Sequence, residues 1–239
     1  KRLDSRVSKD VEATVGEAVV WDWLASRAQS IEVAESLSHG GPDFRCLMED
    51  GSFLVEATNV AIETATQRTG LEEIHFEPSF YSPLTRVLRS RAEGKAGQFE
   101  DLHLPLVVFV TTFHWHASVV CVDKSHVESL LTGTPFISST YCRATGNTGR
   151  PTNSVDFFDS LFVSVPKIIG DDVRAIRRNI SAVIVAGFGV APPKVPVYGV
   201  LHPSPVREFD PAWLSDVPFC KLRTWPPGRT VEVEWVQSV

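Results

Sequence analysis

The chain has 239 residues, 43% of them apolar, which is enough to build a substantial buried core and excludes disorder as a class. Lys and Arg number 23 against 29 Asp and Glu, a net charge of −6, so the overall balance does not advertise a generic binder of nucleic acid or anionic membrane, and any such binding must be local. The acid excess sits mostly in the first quarter. Cys46, Cys121, Cys142 and Cys220 lie far apart with no C-x-x-C pair, no basic-then-apolar leader opens the chain, and no apolar run approaches the roughly 18 residues of a membrane span. A reduced, cytoplasmic protein with no membrane segment is expected.

Residues 7 to about 28 predict a helix, with Val11, Val15, Ala18 and Val19 on the 3.6-residue period and Trp21, Trp23 and Leu24 adding a second apolar side. Ser30 to Ser36 predicts a short strand, and the alternating run from Asp43 to Thr58 predicts a hairpin. Ser82-Pro83 starts a helix expected to reach about Asp101. Leu106 to Val110, opened by Pro105, is a continuous apolar run of the kind that forms a central strand buried on both faces. Further strands are expected at Ala117 to Val122, Leu161 to Val165, Ala182 to Ala186 and Val195 to Leu201, with Val231 to Val236 as an edge. Helices are expected at Lys124 to Leu131 and Asp171 to Ile180, and a long loop from Thr132 to Ser154. The alternation predicts an α/β protein with a mixed central sheet flanked by helices. Trp21, Trp23, Trp213 and Trp235 lie in apolar contexts and are read as packing residues.

The chemistry concentrates in the hairpin. A two-residue turn at Asp50-Gly51 pairs Glu49 with Ser52, Arg45 with Glu56 and Asp43 with Thr58. Alternation then collects Phe44, Cys46, Met48, Phe53, Val55 and Ala57 on one face and Asp43, Arg45, Leu47, Leu54, Glu56 and Thr58 on the other. Asp43 and Glu56 occupy diagonal positions of the second face, close enough to share one ion. Two converging carboxylates repel unless a proton or a cation lies between them, and a hard divalent ion with oxygen ligands, Mg²⁺ or Mn²⁺, is the common solution. Such an ion activates a water for attack on phosphorus.

Pro42-Asp43, twelve intervening residues and Glu56-Ala57-Thr58 resemble the PD-(D/E)XK nuclease superfamily, as does the order helix, strand, hairpin, helix, strand over roughly residues 10 to 111. The resemblance covers under half the chain. It implies a restriction-endonuclease-like αβββαβ core over residues 1–115 and a C-terminal α/β extension over 116–239 packed on the same sheet, or one continuous domain. It also implies Asp43 and Glu56 as metal ligands, with the backbone carbonyl of Ala57 as a third. The family's Lys falls at Thr58, which can carry no positive charge; some members supply that Lys from the following helix. On a wheel centred on Leu88, Lys95 lies at roughly −20° within the apolar stripe, with Arg91 and Gln98 at roughly −60° and −80° beside it. Lys95 is therefore the candidate for the displaced lysine, supported by Gln98.

Glu17, on the side of Ala13, Val20 and Leu24, is a further candidate metal or water ligand, with Glu12 as second choice. Arg86, Arg89 and Arg91, together with Arg174, Arg177 and Arg178, are candidate phosphate contacts. The expected activity is metal-dependent hydrolysis of phosphodiester bonds, in DNA ahead of RNA, in a restriction, repair or defence role; the oligomeric state is open, a homodimer included. The alternative is the same fold with a decayed site that binds nucleic acid or a protein without cutting. His114 and His116 bracket Trp115 at strand spacing, the outline of a zinc pair, but a structural pair is the plainer reading because no third ligand is near. Gly187-Phe188-Gly189 leads into prolines instead of a helix, which excludes a dinucleotide site.

Overall fold

The computed structural model describes residues 2–35, 41–70, 82–99, 102–133, 136–150, 152–155, 157, 159–165, 173–188, 197–227 and 231–236. In chain order these form α1 (Arg2–Ala25), β1 (Ser30–Val33), β2 (Phe44–Leu47), β3 (Ser52–Val60), α2 (Ile62–Thr69), α3 (Ser82–Ala96), β4 (Leu106–Thr112), α4 (Trp115–Cys121) and α5 (Lys124–Thr132). There follow β5 (Phe136–Ser138), β6 (Thr152–Ser154), β7 (Val163–Ser164), β8 (Arg174–Ala175), β9 (Ala182–Gly187), β10 (Tyr198–Leu201), β11 (Phe219–Leu222) and β12 (Val233–Val236). Eight strands form one mixed sheet in the order β1-β2-β3-β4-β9-β10-β11-β12. The β3–β4, β4–β9 and β10–β11 pairs are parallel and the others antiparallel. The expected α/β architecture with a mixed central sheet is the one that forms, and the sheet draws strands from both halves of the chain.

The continuous apolar run at Leu106 becomes β4, buried at all seven positions because helices cover both faces. On one face Leu106, Val108 and Val110 meet Leu84, Val87, Leu88 and Ala92 of α3, with α4 and α5 beside them. On the other, Val107 and Phe109 join Phe53 and Val55 of β3 against Val20 and Leu24 of α1. The four tryptophans pack as expected: Trp21 on Phe44, Trp23 on Phe109, Trp213 stacked on Phe53 and Trp235 on Tyr198. Gly16 lets α1 press onto the sheet, since a Cβ there would lie 2.8 Å from Thr111 Oγ1 and 3.4 Å from Asn59 Cβ.

Four expectations need correction. The hairpin turn is longer than two residues: Leu47 pairs with Ser52 and Phe44 with Val55, and Met48 N–H donates to Gly51 O at 2.8 Å. Pairing therefore shifts by two positions, which preserves the faces because the side-chain period is two. Residues 117–122 are not a strand. They belong largely to α4, whose buried His116, Ala117, Val120 and Cys121 follow helical spacing. The segment expected as a helix from Asp171 to Ile180 instead carries β8 within its described part, paired with β7, and Arg177 adopts φ 57°. Asp171 itself lies outside the described residues, as do Glu100 and Asp101 at the expected end of α3. The loop from Thr132 to Ser154 is not structureless, since β5 and β6 pair within it. Among the elements without a counterpart in the sequence reading are α2, eight residues long with Ala65 as its buried residue, and β11, only four residues long. Among the described residues, no helix is long and apolar enough to cross a membrane.

Candidate active site

Asp43 sits immediately before β2, delivered by Gly41, whose φ of 142° suits a glycine, and by buried Pro42. The strand register, extended by one residue, sets Asp43 directly opposite Glu56 instead of diagonal to it. Beyond the end of β2 the backbone N–H of Ala57 has no strand partner on that side, and it donates to Asp43 Oδ2 at 2.7 Å. In an extended strand a residue's N–H and C=O point toward the same neighbour, so the Ala57 carbonyl also faces the Asp43 side.

Glu56 is buried, 4% exposed, and points to the face covered by α3. There Lys95, in the last turn of α3 with its side chain 21% exposed, makes an ion pair with Glu56 Oε1. Glu56 Oε2 is also buried, with no hydrogen-bond partner among the described residues. Burial pushes the Glu56 acid up to about 7; the Asp43 and Glu35 charges push the same way, while Lys95 opposes them. Burial likewise raises Asp43, against the Ala57 N–H and Lys95, with Glu35 adding to the rise. Glu17 is exposed on α1, yet desolvation first, and then the Asp43 and Glu35 charges, raise its acid as well.

Among the described residues, four carboxylates therefore share one field around a single ammonium. Glu35 was missed by the sequence reading. The β1 register, continued from Val33 opposite Phe44 through the Ala34 N–H bond to Asp43 O at 2.9 Å, brings it beside Pro42 and was the available signal. Among the described residues, no three His, Cys, Asp or Glu side chains form a metal-holding group. A divalent cation at this site would thus rest on Asp43 and Glu56, with the Ala57 carbonyl and water filling its shell, as suits Mg²⁺. The unpartnered Oε2 of Glu56 and the raised acids of both carboxylates fit such a charge. Lys95 offers the competing cation.

The other predicted residues divide into two groups. Gln98 and Arg91 line a cavity of about 320 Å³ together with Lys95. Arg89 faces the interior: it is 4% exposed, donates to Ser129 O at 3.1 Å and lies 3.6 Å from Asp159. Arg86 is exposed and lies 3.6 Å from the same carboxylate. Arg177 pairs with Glu93 at 2.9 Å and donates to Leu161 O, Arg178 donates to Ser204 O, and Arg174 is exposed on β8. None of these five lines the cavity beside Glu56. Glu12 caps α2 by accepting the Ile62 N–H at 2.9 Å. His114 caps α4, its Nδ1 accepting the Ala117 N–H at 3.3 Å, and it is buried with His116, the rings 5.8 Å apart. That is a structural role for His114.

Compared with known proteins, the chain matches no family model, no curated protein and no solved structure.

Proposed function

We propose that this protein is a metal-dependent nuclease of the PD-(D/E)XK type, hydrolysing phosphodiester bonds in DNA with Mg²⁺ or Mn²⁺. The observation that carries the reading is the meeting of Asp43, Glu56 and Lys95 from three separate stretches of chain at the open end of β2. Supporting it is the order α1-β1-β2-β3-α2-α3-β4, in which the hairpin is followed by helix and then by a parallel central strand. Bound between the carboxylates, the divalent cation would supply the positive charge that activates water and offsets charge developing on the phosphate.

Asp43 and Glu56 would hold that ion, and Asp43 is fixed for the task by the Ala57 N–H. Lys95 has three N–H donors and spends one on Glu56, which leaves others for the attacking water or a phosphate oxygen. Gln98, one turn beyond, offers an uncharged amide to the same phosphate, and Glu17 with Glu35 deepens the negative field that draws the cation in. A role in restriction, repair or defence is what membership in that superfamily would imply.

One observation favours a second reading. Thr58, where the superfamily's lysine stands, is buried at 6% exposure and brings no positive charge, so a decayed module that binds nucleic acid without cutting has the same fold. Calorimetric titration of Mn²⁺ into the wild type and Asp43→Ala at neutral pH separates the cases. Binding that disappears in the variant supports the carboxylate centre and justifies a cleavage screen; equal or absent binding in both turns the reading to the decayed module.

A further inference from the structure

Beside the carboxylate cluster lies a cavity of the opposite sign. The 320 Å³ cavity bounded by α1, the end of β3, α2 and α3 is lined by Lys9, Asn59, Arg68, Arg91, Lys95 and Gln98 among others, and among the described residues no Asp or Glu lines it. Its charges are unequally balanced. Lys9 is held by Glu63 at 3.1 Å and Lys95 by Glu56, but neither Arg68 nor Arg91 has a carboxylate partner among the described residues. Among the described residues Arg68 makes only a long contact to Ser90 Oγ, 3.4 Å. The two guanidinium groups feel one another, since partial burial first and the Arg68 charge second lower the Arg91 guanidinium from its ordinary range. Two guanidinium groups in one concavity with no carboxylate partner among the described residues repel, and an anion between them removes the conflict.

A second observation is independent of charge. The amide of Asn59 is 4% exposed, its Oδ1 accepts from Thr111 Oγ1 at 3.1 Å, and its Nδ2 is buried with no hydrogen-bond partner among the described residues. Asn59 lines the same cavity as the two arginines, and an unsatisfied donor in its wall adds to their demand for an acceptor-only ligand. Phosphate fits this donor set better than carboxylate, because it offers oxygens in several directions to donors arriving from three different elements.

We infer that this cavity is a phosphate-binding subsite, which takes a phosphoryl group of the substrate strand next to the phosphodiester that is cut at the Asp43–Glu56 centre. The assignment rests on the nuclease reading above for its choice of substrate. Lys95 joins the two sites, since it lines the cavity and bonds Glu56. The phosphoryl group belongs either to a strand terminus, as a phosphomonoester, or to an internal phosphodiester. A cavity at the lower end of the size range of small-molecule sites admits one nucleotide-sized group and not a duplex.

The test is fluorescence polarisation with a short 3′-fluorescein single-stranded DNA, prepared with a 5′-phosphate and with a 5′-hydroxyl, in excess EDTA. Without divalent metal nothing is cleaved, so the readout does not depend on catalysis. Arg68→Gln and Arg91→Gln are each expected to weaken binding roughly tenfold, and Arg91→Lys to recover part of the loss. Arg143→Gln, in the exposed loop between β5 and β6, controls for general charge. A wild-type preference for the 5′-phosphate that both Gln variants abolish assigns the subsite to a terminal phosphomonoester. Equal affinity for the two strands, reduced in both variants, assigns it to an internal phosphodiester.

Wild-type affinity in both Gln variants, an equal loss in Arg143→Gln, or no binding of either strand by the wild type overturns the assignment. Arg68 and Arg91 are exposed, and unchanged circular dichroism checks that the variants fold. Failure of the nuclease reading is seen separately, as Mn²⁺ binding that Asp43→Ala leaves unaltered, while the arginine-dependent binding persists.

Discussion

Replacing Glu56 by Gln, similar in shape and uncharged, exposes what the carboxylate costs the fold. The acid is pushed from its ordinary 4.5 up to about 7, chiefly by burial. Between those values the folded protein holds the Glu56 proton more tightly than the unfolded chain does. The stability this provides is fully present below about pH 4.5 and is lost as pH rises through about 7. A displacement of that size corresponds to about 3 kcal/mol between the two limits. Glutamine has no charge to desolvate, so at about pH 8 Glu56→Gln is expected to be about 1–3 kcal/mol more stable than the wild type, the lower figure allowing for the bond lost to Lys95. At about pH 5 the advantage largely disappears. Lys95, partly exposed, can turn to water in the variant. Urea unfolding in excess EDTA at both pH values measures the difference as a shift in midpoint at unchanged slope. A midpoint difference that is the same at both pH values refutes the reasoning, because it would mean that the charge on Glu56 plays no part.

Other perturbations act on the neighbouring parts. Lys95→Ala removes the charge that holds the Asp43 and Glu56 acids down, so Mn²⁺ binding should survive with its pH midpoint moved upward, while DNA cleavage falls by about a hundredfold or more; undiminished cleavage sinks the assigned role. Asn179→Ala loses two 2.6 Å bonds from the side-chain amide to the carbonyls of Ala96 and Phe99. It should lower stability by about 1–3 kcal/mol, read as a fall in melting temperature of about 2–4 °C per kcal/mol. His114→Ala removes the cap of α4, at a cost of about 1 kcal/mol in thermal unfolding, and leaves Mn²⁺ uptake as it was; a variant that fails to take up Mn²⁺ brings back the paired-imidazole metal site.

What the sequence made legible were features written in local periodicity. The two-residue alternation of 43–58 sorted Phe44, Phe53 and Val55 from Asp43 and Glu56 even though the turn was misjudged, since an even shift leaves every side chain on its face. The helical wheel set Lys95 toward the sheet, where it meets Glu56. Features decided by tertiary context were not legible. The apolar run 117–122 suits a strand by composition, but capping by His114 and contact with β9 and α5 turn most of it into a helix. Arginine-rich 174–178 lacks the apolar stripe a helix would bury, and it folds as an extended turn against β7. Glu35 and Arg68 enter the site region through the β1 pairing and through α2, neither of which carries a chemical motif of its own.

The β4 ladder has a consequence for how the molecule is made. Asp43 reaches its Ala57 partner across 14 residues and Lys95 reaches Glu56 across 39, whereas the bond from Leu106 N–H to Ser181 Oγ that opens the β4–β9 seam spans 75. Loop-closure entropy favours the short spans first, so the acidic end of the site can assemble while β4 still presents a bare parallel edge. That edge is wholly apolar along Leu106 to Val110 and carries no charge to repel a second chain. Until β9 docks, during synthesis or refolding, it is the part of the protein most open to aggregation, and nascent chains stalled ahead of Ala182 should depend most on chaperones.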